Sequence, residues 1–188
     1  MNDLKTPDAA KARLLELIRE HALLKGGDFV LASGAHASTY VDLRRVTMHP
    51  EGARLIGRML APRLAEAGVT AVGGMATAAI PVVSAVVMAS AESDHPIRGF
   101  YVRDKAKTRG TQRQIEGQLE TGDTVALLED TMTTGGSTMT AVEAVREAGS
   151  TVAQVITVVD RQQGGADLYR DAGIPFDALI TLDDINAG

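Results

Sequence analysis

Two adjacent carboxylates, Glu129 and Asp130, stand directly before Thr131-Met-Thr-Thr-Gly-Gly-Ser-Thr138, a run of small hydroxyls and glycines. Thr124 to Leu128 ahead of them is an apolar run of strand length, and residues 137–148 read as a helix stopped by Gly149. A helix start of this composition suits a phosphate. Unpaired N–H groups and the positive end of the helix dipole face the anion, Gly135 and Gly136 let the backbone come close, and Thr133, Thr134 and Ser137 can donate. Read alone, the run has a lesser alternative, an ordinary turn with Ser137 as a cap. The carboxylates add to it, because they would repel a phosphate unless they served another part of the same ligand, such as sugar hydroxyls or a bridging Mg²⁺. A ribose 5-phosphate has both parts. No Lys follows the glycines as in a Walker A loop, and no GxGxxG occurs, so neither an ATPase nor a dinucleotide loop is indicated.

Three further groups could meet such a ligand. Gly74-Met-Ala-Thr-Ala-Ala-Ile-Pro81 is a run of small residues after a buried strand, read also as a plain strand-to-helix turn. Arg103, Lys105, Lys107 and Arg109 cluster cations in a polar stretch, 103–120, that has five basic residues against three acids and neither helical nor strand periodicity. A connection of that length is functional or a solvated charged loop. Arg161 follows another strand, and a guanidinium there suits a planar carboxylate or pairs locally with Asp160. His21, His36, His49 and His95 show no metal-ligand spacing and read as surface residues, with Met48-His-Pro50 as the start of a helix.

The elements that must position these residues alternate. Asp8 to Lys25 has helical spacing, begun at Thr6-Pro7 and stopped at Gly26-Gly27. Phe29 to Leu31 and Tyr40 to Leu43 form a small hairpin, and Pro50 to Ala67 a second helix with a possible kink site at Pro62. Strands follow at 69–72, 97–102, 124–128 and 152–159, with helices near 80–90 and at 137–148, which predicts a parallel sheet covered by helices. The 188 residues suit one domain, and 45% hydrophobic with 23% charged residues is globular. A net charge of −5 and only 3% aromatic residues argue against nucleic-acid binding. Zero Cys excludes disulfides and thiolate chemistry and fits the cytoplasm. The start lacks a signal-peptide pattern. The uncharged stretch Ala67 to Ala91 is broken by Gly, Thr and Pro, which argues against a membrane span.

Leu127-Leu-Glu-Asp-Thr-Met-Thr-Thr-Gly-Gly-Ser137 resembles the phosphoribosyl pyrophosphate (PRPP) signature of type I phosphoribosyltransferases. Phe29 to Gly34, Tyr40 to Arg44, Arg103 to Gly117 and Asp160 to Gly165 resemble the orotate phosphoribosyltransferase family in order and spacing, over nearly the whole chain. The resemblance implies a type I phosphoribosyltransferase α/β fold, with a mostly parallel sheet flanked by helices. Residues 1–45 would contribute a small N-terminal hood over the base, and 103–120 a mobile lid. It implies transfer of the ribosyl 5-phosphate group from PRPP to orotate, with Mg²⁺ carried mainly by PRPP near Glu129 and Asp130 and without dedicated protein ligands.

For PRPP it implies Ala76, Thr77, Arg103, Lys105, Lys107, Arg109, Glu129, Asp130, Thr131, Thr133, Thr134, Gly135, Gly136 and Ser137. For orotate it implies Ser33, Gly34, Thr133 and Arg161, and as catalytic residues Lys107, Arg109 and Asp130. A homodimer whose lid completes the partner's site follows from the same likeness. The family's lid reads Arg-Lys-x-x-Lys-x-His-Gly, whereas this chain has Arg103-Asp-Lys-Ala-Lys-Thr-Arg-Gly110, and Ala32 stands where the family often has Lys. Two other readings stay open on those departures: a paralogue acting on a different pyrimidine-like base, and a non-catalytic PRPP or nucleotide sensor.

Overall fold

The computed structural model describes residues 6–30, 36–104 and 114–187. Helix α1, Pro7–Leu17, starts where Thr6 accepts from the Ala9 N–H (3.3 Å) and buries Ala10, Leu14 and Leu17 on one face. The expected helix to Lys25 is corrected. A π-helical turn, Ile18–Ala22, ends it, and strand β1 (Leu23–Val30) begins, paired antiparallel with β2 (His36–Val41). Cross-strand pairing wins there over helical spacing. Gly26, at φ +79°, lies where the register shifts between Lys25 and Phe29, so the glycines mark a bulge inside the strand and not a helix stop.

After a short helix α2 (Arg44–Thr47), helix α3 (Pro50–Glu66) starts with His49 accepting from the Glu51 N–H and continues through Pro62. It packs closely on α4 (Ala79–Ser90): a Cβ on Gly57 would lie 2.4 Å from the Ala85 carbonyl oxygen. Together β3 (Ala71–Gly73) and α4 take up the uncharged stretch. Among the described residues no helix is long and apolar enough to cross a membrane.

The main sheet has six strands in the order β5-β4-β3-β6-β7-β8. They are β4 (Arg98–Val102), β5 (Ile115–Gly117), β6 (Thr124–Met132), β7 (Thr151–Asp160) and β8 (Phe176–Thr181) beside β3, and all pairings are parallel except β4 with β5. The expected α/β sheet is thus present, with an antiparallel edge inside the stretch read as pure loop. Three residues of strand carry too little periodicity to show. Beyond β7, helix α6 (Gly165–Asp171), β8 and helix α7 (Leu182–Asn186) were not read from the sequence.

Both faces of the sheet are covered, as parallel strands require. Ala126 and Leu128 of β6 share a buried cluster with Leu14, Ile56, Leu60 and Val86, while Val125 and Leu127 share another with Val142 and Val145 of α5 (Gly136–Glu147) and with Tyr169. From β3 the chain runs outward to β4, and from β6 it runs the other way to β7 and β8. The connections therefore part between β3 and β6. Crevices for ligands in such sheets open outside the carboxyl ends of strands at that point.

Candidate functional site

Strand β6 is four residues longer than expected, so Glu129, Asp130, Thr131 and Met132 are strand residues. Its register with β7 runs to Met132 against Asp160, which brings the acidic pair and Arg161 to one sheet edge. Thr133 and Thr134 lead to Gly135, the N-cap of α5 at φ +78°. A Cβ at Gly135 would lie 2.9 Å from the Tyr169 hydroxyl, so both backbone conformation and space call for glycine. Gly136 is different: it is exposed, and a Cβ there would meet nothing within 4 Å. No side chain caps α5. Ser137 instead donates to Glu129 Oε1 (3.3 Å), so its cap role is not the one used, and the exposed first turn keeps N–H groups available to an anion.

The acidic pair is held in its own way on each side chain. Glu129 accepts from the Thr138 hydroxyl at 2.5 Å as well as from Ser137, while Asp130, nearly buried, accepts from the Thr131 N–H at 2.6 Å. Burial pushes the Glu129 carboxyl above its ordinary range, against the Thr138 hydrogen bond, and the neighbouring Asp130 charge adds to the rise. Burial likewise raises Asp130, opposed by the Thr131 N–H and by the Arg44 charge. A buried Asp130 beside a half-buried Glu129, with no cation bonded to either among the described residues, is costly as a pair of carboxylates, and hydroxyl donors or a cation on a ligand would relieve them.

A cleft of about 400 Å³ opens beside them. It is lined by Thr77, Glu129, Asp130, Thr131, Thr133 and Arg161 from the sequence-read set, and by Tyr40, Asp42 and Arg44. The last three fell in a segment noticed only for its likeness to a family, with no role given. Asp42 takes the Arg44 Nε (2.8 Å), which orients a guanidinium at the cleft wall opposite the sheet edge. Arg161 does not pair with Asp160, which accepts from the Gln162 N–H (2.7 Å) instead, and the Arg161 Nε is buried with no hydrogen-bond partner among the described residues. Gln162 sits at φ +56°, rare for a side-chain-bearing residue, and is tied to Asp183 through both ends of its amide, at 3.0 and 3.1 Å.

Ala76 and Thr77 follow β3 on the other side of the switch point and are joined by a cis peptide bond. The Ala76 N–H donates to the Val102 carbonyl (2.8 Å), and a Cβ on Gly74 would lie 2.2 Å from the Leu128 carbonyl oxygen. This loop thus lies against β4 and β6, with Thr77 at the cleft and Ala76, Thr134, Gly135, Gly136 and Ser137 outside its lining. Arg103 lies just past β4 and not in the lining, its N–H donating to the Gln114 carbonyl (2.9 Å) and its Nε buried with no partner among the described residues. Lys105, Lys107 and Arg109, like Ser33 and Gly34, lie outside the described residues. Of the histidines, His21 and His49 stack at 5.1 Å and are partly buried, and His95 is exposed.

No family model matches the chain. It is 45% identical over 185 residues to an orotate phosphoribosyltransferase from Synechocystis sp., covering 97% of this chain and 92% of that protein. A solved orotate phosphoribosyltransferase from Mycobacterium tuberculosis, in complex with Fe(III) dicitrate, is 41% identical with a TM-score of 0.83, over 94% of this chain and 98% of that one. The same enzyme in complex with PRPP is 37% identical with a TM-score of 0.78, over 94% and 99%.

Proposed function

The chain belongs to the orotate phosphoribosyltransferase family, and from that premise we propose that it transfers the ribosyl 5-phosphate group of PRPP to orotate, giving orotidine 5′-monophosphate and pyrophosphate. Its α/β sheet is the type I phosphoribosyltransferase fold. The observation that carries the reading is the meeting, at one switch point, of an acidic pair with raised pKa values, an uncapped helix start and a buried guanidinium nitrogen with no partner among the described residues.

Each part suits one part of the reaction. The exposed first turn of α5, with Thr131, Thr133 and Thr134 ahead of it, takes the 5-phosphate through backbone and hydroxyl donors. Glu129 and Asp130 accept from the ribose 2- and 3-hydroxyls, and their negative charge favours the positive ribosyl centre that develops as pyrophosphate leaves. Arg161, with Thr133, holds the orotate carboxylate and ring edge, for which a fork of N–H donors is the right shape. Arg44 faces the same space from the hood side. Ala76 and Thr77 bring the β3 loop to the diphosphate. Arg103, Lys105, Lys107 and Arg109 would neutralise the leaving group, in a lid over residues 103–120 supplied by the second subunit of a homodimer. Ser33 and Gly34 would cover the base within the hood of residues 1–45, the whole working as one unit. The lack of Cys fits work in the cytoplasm.

Among the described residues no group of three His, Asp or Glu could hold a metal ion. Of the three carboxylates that line the cleft, Asp42 is paired with Arg44, and the other two are hard oxygen donors but too few for a full octahedral shell, so the donor set fits Mg²⁺ that arrives on PRPP and keeps substrate and water oxygens. Bound so, Mg²⁺ supplies charge neutralisation to the departing diphosphate.

The test follows orotate absorbance with PRPP and Mg²⁺. Orotate loss matched by pyrophosphate release is expected. A panel of other pyrimidine-like bases under the same conditions addresses the Ala32 departure, and PRPP binding without turnover of any base would overturn the reading.

A further inference from the structure

Tyr169 lies on α6, outside the cleft lining, and no part of the reaction above uses it. It is fully buried, stacks on Phe176 with ring centroids 5.4 Å apart, and donates its hydroxyl to the Gly135 carbonyl at 3.1 Å. A buried phenol needs a partner, but a backbone carbonyl elsewhere in the core would serve equally. The one it takes belongs to the N-cap of α5 and also accepts the helix's own bond from the Met139 N–H (3.1 Å), so the phenol braces that carbonyl a second time, from α6.

Two more bonds fix the same loop from the same side. The Arg161 N–H donates to the Met132 carbonyl (2.9 Å) and the Gly165 N–H to the Thr133 carbonyl (3.2 Å). With Tyr169 they engage the Met132, Thr133 and Gly135 carbonyls from the segment that runs from Arg161 into α6, which takes those three carbonyls out of an anion's reach. The loop's geometry has no slack at this point, since a Cβ on Gly135 would already crowd the Tyr169 hydroxyl. Thr138, whose hydroxyl reaches Glu129 at 2.5 Å, also touches the phenol and joins the ribose side to the clamp.

We infer that Tyr169 is a positioning residue for the 5-phosphate: its hydroxyl, together with the Met139 N–H, holds the Gly135 carbonyl outward so that the α5 start presents its N–H groups to the phosphate. The inference rests on the proposed transfer reaction and its assignment of that loop. A carbonyl turned toward the anion would both remove a donor and add a like partial charge, and a misplaced loop of this kind weakens binding of the group it holds.

Tyr169→Phe keeps the ring and removes only the hydroxyl. Calorimetry would measure orotidine 5′-monophosphate, which carries the 5-phosphate, and inorganic pyrophosphate, which does not, each with Mg²⁺. The expected result is about tenfold weaker nucleotide binding, the loss typical of one hydrogen bond to a charged group, with pyrophosphate affinity unchanged. In turnover, KM for PRPP rises while KM for orotate stays. Phe176→Leu is the structural comparison: it disturbs the ring stack, lowers the melting temperature and leaves the ratio of the two affinities at the wild-type value. Equal affinities in wild type and Tyr169→Phe, or parallel loss for both ligands, would overturn the inference while the transfer reading stands. Failure of the wild-type chain itself to bind the nucleotide would overturn both.

Discussion

Glu129 and Asp130 carry an unusual cost in the ligand-free chain. Burial raises both carboxyls, so the folded chain holds their protons more tightly than the unfolded chain does. Their contribution therefore favours the fold below the ordinary carboxylate range and is lost as pH rises through the raised values. At neutral pH the pair opposes folding, and the substrate's hydroxyls relieve it. Asp130→Asn should then stabilise the free protein at pH 7 by on the order of 1 kcal/mol, the scale of an under-partnered buried polar group. The gain should shrink as pH falls through the raised carboxyl range and vanish once Asp130 is protonated. Turnover should fall on the order of a hundredfold, because the charge facing the ribosyl centre is gone. Thermal melts across pH with one rate assay check both halves, and a variant destabilised at pH 7 would refute the burial argument. Gly136 separates the same roles differently. Its surroundings in the protein are open, so Gly136→Ala should keep the melting temperature or raise it slightly by restricting the unfolded chain. PRPP should nonetheless bind about tenfold more weakly, because the added methyl occupies the phosphate's approach to the helix N–H groups. Unchanged PRPP affinity in that variant would mean the phosphate does not sit there.

At the scale of elements, the opposite edge of the sheet does the fixing. Asp123, nearly buried at the start of β6, accepts from Thr70 Oγ1 (2.7 Å), Arg98 Nη2 (2.5 Å) and the Glu120 N–H (2.8 Å), tying the approaches to β3, β4 and β6 together. Arg98 keeps its second partner Glu120, so Asp123→Ala leaves chiefly the Thr70 hydroxyl and the Glu120 N–H without an acceptor and should cost about 2 kcal/mol in denaturant unfolding. KM for either substrate should stay at the wild-type value, since the network lies at the amino ends of the strands. Strands β3, β4, β6 and β7 were legible because parallel strands buried on both faces are continuous apolar runs. The acidic pair and the glycine run were legible because they are adjacent in sequence. Strand β1 was hidden by helical spacing that its pairing with β2 overrode, and β5 by its three-residue length. Tyr40, Asp42 and Arg44 were seen without a role, and Tyr169 was missed entirely. Those four reach the site only through tertiary contacts, and a lone Tyr on an amphipathic helix carries no spacing signal.

At the scale of the whole molecule, the open question of the lid becomes a question of which subunit closes which cleft. The described lining of the cleft supplies acids, hydroxyls and two guanidiniums, and a diphosphate leaving group needs further cations, which the proposed lid would bring as Lys105, Lys107 and Arg109. In the proposed dimer those come from the partner. Lys107→Ala and Asp130→Asn then disable different halves of each shared site. Two preparations, each nearly inactive, mixed in equal amounts under mild dissociating conditions and reassembled, should give half mixed dimers by random pairing in a twofold assembly. In each mixed dimer one site receives an intact Lys107 from one chain and an intact Asp130 from the other, while the second site has both defects. Recovery of about a quarter of wild-type turnover is expected. A lid acting on its own chain leaves every site with one defect or the other, and mixing would then recover nothing. Asp104→Lys in the same background bears on the lid's departure from the family pattern. If Asp104 faces the diphosphate, Lys there adds attraction and lowers KM for PRPP, and the change should appear only in sites covered by the chain that carries it.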